Sequence, residues 1–443
     1  MQFIDLGFLF LLLPMSAAVY YCVPNRHKPA VLLALSVGFY YLMQPDAIWL
    51  PLTVLPDCLL LAHMSRSAPE SPKNTLLVRL CVIKNLVVML LFGILAPMMQ
   101  QAAVPAGVMV ISLSLIDLLV LQHRGVARFP SPVKTAGSTL FFARFNYGPV
   151  GAAQELVAQL DAPAPSLSRI SKGIMLLIEG VAKQVILSEQ FFALLKTISR
   201  LPPERFSIAL SWLCALCSAL GLYFSLSAFS NIARGIGNIF SLKLPRMLYY
   251  PFQARSIREY VYRLNMPLED TIFGLVFPNR DRRANDGRAY LISFFMPLTL
   301  GLWLSPSGGF LLWGGYLSCL VLLDWLMLRH LPVPLGFAAR IVTFVITLPS
   351  YVLMLPTTLG NRFAMIAAML GLGSAPLFND AVIYLFSSNF ILIFLGVLAC
   401  SNVFDLLGRA TEQQFPRLWW VGSSFAHLAL LVVATSFLLW NVR

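Results

Sequence analysis

The chain has 443 residues, 58% of them hydrophobic and only 12% charged, with a mean hydropathy of +0.77. A soluble protein would need roughly a quarter of its residues charged to coat its surface, so composition excludes one. The net charge of +13 falls in short loops between apolar runs, which argues against nucleic acid as a partner. Period-2 alternation is absent and lipid tolerates no unpaired backbone, so the expected class is an all-α polytopic membrane protein.

Apolar runs near the ~20 residues that cross a hydrocarbon layer predict spans at about 6–23, 29–43, 47–63, 78–98 and 103–122. Further spans follow at about 173–195, 206–232, 288–304, 310–328, 339–357, 381–400 and 420–440, eleven or twelve in all. The first run, Leu6 to Val23, has no basic flank before it and no small-residue cleavage site after it, and is expected to be a retained helix. Lys and Arg mark alternate loops. Arg26 and Lys28 lie in the first, Arg66, Lys73 and Arg79 in the third, and Arg124, Arg128, Lys134 and Arg144 in the fifth. The loops around Gln44–Asp46 and Pro97–Pro105 carry none, which predicts odd loops in the cytoplasm and the N-terminus outside.

Two stretches do not read as simple spans. Ala136 to Leu160 is amphiphilic and interrupted by Gly148-Pro149 and Gly151. Arg234 to Arg288 mixes aromatics with Arg234, Lys243, Arg246, Arg255, Arg258, Arg263, Arg280, Arg282, Arg283 and Arg288. It is either buried irregular backbone or an amphipathic surface segment held by headgroups. The whole reads as one membrane domain over 1–443, with N-terminal helices to 135, a re-entrant core section over 136–330 and C-terminal helices beyond.

Cys214 and Cys217 form a CxxC, but "SWLCALCSALGLYF" offers no polar neighbours, so these and Cys22, Cys58, Cys81, Cys319 and Cys400 read as packing residues. The histidines are His27, His63, His123, His330 and His427. No HxxxH pair, Ser-His-Asp order or phosphate-binding glycine loop occurs, so no metal is expected. Asp57, Asp117, Glu179 and Asp324, with Lys84 and Lys183, are intramembrane ionisable groups, either functional or paired with one another. Glu179 and Lys183 stand four apart on one helix and could pair directly.

Six motifs in order carry a resemblance: Phe8–Pro14 with Tyr20-Tyr21 and Pro24; "LLALSVGFYY" at Leu32–Tyr41; "HRG" at His123–Gly125; "FFARFNYGPVGAAQELVAQL"; "GLYFSLSAFSNIARGIGNIFSLKLPRMLYYPFQARSIREYVYRLNMPL"; and "GLWLSPSGGFLLWGG". Together they resemble the membrane-bound O-acyltransferase (MBOAT) family, in its alginate O-acetyltransferase and D-alanyl transfer branch. The resemblance implies a ring of helices with re-entrant segments around a tunnel, lined by Tyr223, Ser225, Ser227, Asn231, Trp303 and Trp313. It implies no bound cofactor, but a thioester donor (acyl-carrier or acyl-CoA) reaching the cytoplasmic mouth near Arg255, Arg258 and Arg263. The family's histidine in "GLWHG" reads Leu304 here, followed by Ser305, and the "RRWH" histidine reads Asn265. Two family aspartates read Ser225 and Asn231. Leu304 has no lone pair and cannot act as a base; Asn265 can hold an oxygen but not take its proton.

The expected function is therefore acyl transfer to an envelope polysaccharide or similar acceptor, with this chain a degenerate accessory. Its expected partners are the bilayer, an acyl-carrier protein and a companion membrane or periplasmic acyltransferase. The alternatives are an active O-acyltransferase of unusual mechanism, or a conduit for a lipid-linked or acylated species.

Overall fold

A computed structural model describes residues 3–67, 71–95, 98–99, 104–145, 148–161, 166–201, 206–278, 287–326, 336–372 and 375–441. These residues form helices and turns, with no strand among them. His330, Arg280, Arg282, Arg283 and part of the Pro97–Pro105 loop lie outside the described residues.

Among the described residues six helices are long and apolar enough to cross a membrane, Pro45–Met64, Pro72–Leu95, Ile208–Ile239, Gly308–Leu326, Gly336–Leu353 and Trp419–Leu439, or seven if one bent pair is a single span. The chain is a polytopic all-α membrane protein. Among the described residues the count falls below the eleven or twelve expected, in part because Phe8–Cys22, Val108–His123 and Tyr290–Leu304 are shorter apolar helices and another expected span is bent. Val108–His123 has 16 residues, about 24 Å of helix, against a hydrocarbon layer of about 30 Å. The expected span over 381–400 is two helices, Asp380–Ser388 and Phe390–Ala399, bent by 66° at Asn389. There the Asn389 side chain donates to the Leu385 carbonyl at 2.9 Å and closes the first helix.

The chain divides into two compact units, each built from separated segments. The first comprises Met1–Gly180, Phe229–Met247 and Asp270–Arg280. In it Trp49–Met64, Pro72–Leu90 and Val108–His123 pack together, with Leu60, Leu61, Met64, Leu118 and Leu119 in their core. A charge pair of a buried aspartate and a partly exposed lysine joins two of these helices. Lys84 bonds the Asp57 carboxylate, and Asn85 donates to the same oxygen at 3.1 Å. Pairing, the bland alternative for these intramembrane groups, is what this unit contains.

The broken segment over 136–160 is held by a fully buried arginine. Arg144 ends a 3-10 turn, Phe142–Arg144, and donates to the Pro149 carbonyl (3.1 Å), the Ser138 carbonyl (3.0 Å) and Ser114 Oγ (2.6 Å). A Cβ on Gly148 would stand 2.2 Å from the Arg144 Cα, so only glycine lets the chain fold back over it. A second close approach joins Leu167–Ala182 to the end of Ile208–Ile239. There a Cβ on Gly173 would meet the Gly235 carbonyl at 2.7 Å.

The second unit comprises Val181–Ala228, Leu248–Glu269 and Asp281–Arg443. Its centre is a hairpin of Gly287–Leu304 and Gly308–Leu326, with Gly336–Leu353 beside it and the short helix Ile257–Leu264 packed against all three. The cysteines of the CxxC are buried and free, as packing residues are. The arginine-rich section is not a surface segment over most of its described length. Phe240, Leu242, Leu244, Met247, Leu248, Pro251 and Ala254 are buried, so the irregular backbone is enclosed by protein.

Candidate functional site

The turn over 301–315 is where the resemblance puts the reactive group, and its glycines have a packing reason. A Cβ on Gly301 would lie 2.5 Å from the Phe310 carbonyl, and one on Gly314 would lie 2.5 Å from the Pro297 carbonyl. Glycines on both arms thus let the two helix backbones touch, as small residues do in membrane helix pairs. Gly309 is tight as well, 3.1 Å from the Met354 carbonyl, whereas Gly308 and Gly315 face open space. Trp303 and Trp313 are buried, Leu304 ends its helix, and the partly buried Ser305 donates its backbone N–H to the Gly301 carbonyl at 3.0 Å. Each of these features shapes a hairpin. None supplies a base.

Asn265 is buried at the joint between Ile257–Leu264 and Met266–Val276. Its Oδ1 accepts from the Leu268 N–H at 3.3 Å, the bond of a helix N-cap. Its oxygen is therefore already used in folding.

Above it on the same short helix, Tyr260 shares a short hydrogen bond with Tyr351, both fully buried. Burial raises the Tyr260 phenol well above its ordinary pKa, and the neighbouring Tyr351 raises it further, so it stays protonated at neutral pH. Rings extend from this pair in two directions. Phe252 stands 6.3 Å from Tyr260 and 5.4 Å from Tyr223, and Trp313 stands 6.1 Å from Tyr351. Among the described residues the Trp313 Nε1 is buried without a hydrogen-bond partner. The sequence-predicted residues Tyr223 and Trp313 are thus joined through Phe252, Tyr260 and Tyr351, three residues that sequence reasoning missed. Tyr260 was legible in part: it lies on the apolar face of "IREYVYRL" with Ile257, Val261 and Leu264. Replacing either tyrosine of the pair by Phe is expected to cost about 1 kcal/mol. The double replacement should cost less than the sum of the two, since no lone hydroxyl remains; thermal unfolding of the three variants checks this.

The remaining tunnel candidates do not form one cluster. Ser225 is half-buried, and Ser227 accepts a hydrogen bond from Lys183 at 3.3 Å within the second unit. Asn231 belongs to the first unit, where its Nδ2 donates to Glu179 at 3.1 Å. The Asn231 amide thus has a carboxylate partner from another helix. A buried acid also escaped the sequence reading: Glu269 accepts from Ser293 Oγ at 3.1 Å.

The three arginines expected near the cytoplasmic mouth take different places, because the helix begins only at Ile257. Arg255 precedes it and is exposed. Arg258 lies over the Tyr290 ring at 4.8 Å, and its N–H is 3.4 Å from the Asp324 carboxylate. Arg263 is drawn inward, to Glu259 at 2.5 Å and to the Tyr250 carbonyl at 3.2 Å. Ser256 and Glu259 cap the helix, the hydroxyl taking the Glu259 N–H and the carboxylate taking the Arg255 N–H.

No described histidine lies in this cluster of rings. His27 and His63 are exposed, and the His427 Nδ1 bonds the Ser423 carbonyl of its own helix at 2.7 Å. The described residues contain no His, Cys, Asp and Glu grouping that could hold a metal.

No family model matches the chain. Among curated proteins it is 24% identical over 332 residues to one named "Probable alginate O-acetylase AlgI" from Azotobacter vinelandii, covering 70% of this chain and 66% of that one. To the Pseudomonas aeruginosa protein of the same name it is 22% identical over 392 residues, 83% of this chain and 74% of the relative. It is also 25% identical to a peptidoglycan O-acetyltransferase of Helicobacter pylori over 183 residues, 39% of this chain and 34% of that one. The match to the Azotobacter vinelandii protein, and one to its Pseudomonas fluorescens namesake, span slightly under two thirds of those relatives' length. Motif order, helical architecture and these similarities agree, and the chain is an MBOAT-like protein, a relative of the alginate and peptidoglycan O-acetylases.

Proposed function

We propose that this protein serves acyl transfer to a cell-envelope polysaccharide as a catalytically degenerate accessory. In this reading it sits in the inner membrane with its N-terminus in the periplasm. It meets a thioester donor on the cytoplasmic side near the exposed Arg255, and works beside a companion acyltransferase. One observation carries the reading. The two positions where the family keeps reactive side chains hold a leucine that ends a helix and an asparagine whose oxygen caps one. Losing a general base commonly removes a factor of about 10²–10⁴, and the buried Tyr260 phenol, five residues before Asn265, stays protonated.

The test is acyl transfer by the purified protein in nanodiscs, with labelled acetyl-CoA as donor and alginate or peptidoglycan fragments as acceptor. No transfer above the protein-free blank is expected. Leu304→His combined with Asn265→His is expected to restore none. The second change also removes the N-cap, costing about 1 kcal/mol of stability. Robust transfer by the wild-type protein alone would overturn the degenerate reading, and Ser305 and Asn265 would then be the residues to replace first.

A further inference from the structure

Lys28, the first residue of Lys28–Met43, is 4% exposed, although lysine is among the residues least often buried. Among the described residues no acidic side chain pairs with it. Its ammonium instead lies over two phenol rings, 5.3 Å from the centroid of Tyr20 and 5.4 Å from that of Tyr21. Ring faces offset only part of what a buried ammonium loses by leaving water. The Tyr20 hydroxyl, on a side chain with no exposure, is buried with no hydrogen-bond partner among the described residues. Tyr21 is anchored beside it. Its hydroxyl donates to the Ile239 carbonyl at 2.6 Å and lies 3.0 Å from Ser241 Oγ. A second cation reaches the same node, since Arg169 Nη1 donates to the Ser241 carbonyl at 2.8 Å. All of these residues belong to the first unit.

A cation without a counter-charge and a phenol O–H without an acceptor lack the same thing, an anion with acceptor oxygens, and Arg169 brings a second cation to the adjoining Ser241. We propose that Lys28 and Tyr20 form a phosphate-binding site, with Arg169 as its outlying cation. The phosphate is either that of an anionic lipid headgroup or that of a soluble phosphorylated molecule. Lys28 follows the short turn that ends the first helix, where Arg26 is exposed, so the site lies at the end of two apolar helices and not at their middle. That position suits both sources. The site is independent of the acyl-transfer reading and stands or falls separately from it.

The test is thermal unfolding of the full chain in phosphatidylcholine nanodiscs, in nanodiscs containing phosphatidylglycerol, and in phosphatidylcholine nanodiscs with inorganic phosphate. Wild type is expected to gain stability in at least one of the last two conditions. A gain with phosphatidylglycerol alone identifies the lipid headgroup, and a gain with inorganic phosphate identifies the soluble source. Lys28→Met, which removes the buried charge and keeps the stem, should fold and show none of that gain. Tyr20→Phe keeps the ring against Lys28 and Phe240 and should bind the same anion about tenfold more weakly. Absence of a gain in wild type, or an equal gain in wild type and both variants, would overturn the proposal.

Discussion

Gly314→Val is expected to destroy the central hairpin of the second unit. The added Cβ would stand 2.5 Å from the Pro297 carbonyl oxygen and 2.9 Å from the Leu298 Cα, both backbone atoms of the facing helix. Overpacking costs about 1–3 kcal/mol where side chains can yield; two helix backbones cannot yield without separating, so the cost should reach or exceed the upper end. Gly315→Ala is the control. Its Cβ would meet nothing, and the better helix propensity of alanine should stabilise the protein by up to about 1 kcal/mol. Size-exclusion recovery and thermal unfolding in detergent measure both. If Gly314→Val unfolds at the wild-type temperature, the close approach of these helices is not what holds the turn.

The second large effect is expected at Arg144. Arg144→Met would leave Ser114 Oγ and the carbonyls of Ser138 and Pro149 without their donor, and would remove a charge that interacts with the buried Asp117. Breaking one side of a buried charged network typically costs about 3–5 kcal/mol. Arg144→Met combined with Asp117→Asn should recover part of that loss, because the leftover carboxylate is then neutral. Arg255→Gln on the exposed surface should change stability by no more than about 0.5 kcal/mol. Denaturant or thermal unfolding of these variants checks the ordering. A double variant no more stable than the single one would show that Asp117 is not the partner that matters.

Both predictions rest on contacts that the sequence did not disclose, although the residues themselves stood out in it. The interruption at Gly148-Pro149 was visible as a helix break. The buried guanidinium that the break wraps was not, because Arg144 looked like one more basic residue of a cytoplasmic loop. The positive-inside pattern describes loops statistically and cannot tell an arginine facing lipid headgroups from one folded back into the protein. The same limit explains Arg255, Arg258 and Arg263. The resemblance put them together at one mouth, but the helix start at Ile257 and the carboxylate of Glu259 send them to three different places.

The sequence by itself determined the class of this protein. Apolar content and run length leave a membrane as the only solvent for it, and six motifs in order carry its resemblance to the O-acetylases, since both are properties of local composition and linear spacing. It also limited the chemistry open to one position, because Leu304 has no lone pair in any fold. Only the tertiary structure decided what the neighbours of that position are for. Whether Gly301 and Gly314 serve a reaction or a helix crossing, whether the Asn265 oxygen is available, and whether Lys28 has a counter-ion all depend on groups brought from far along the chain. Such pairings arise from packing, and they leave no periodicity or motif in the sequence from which to read them.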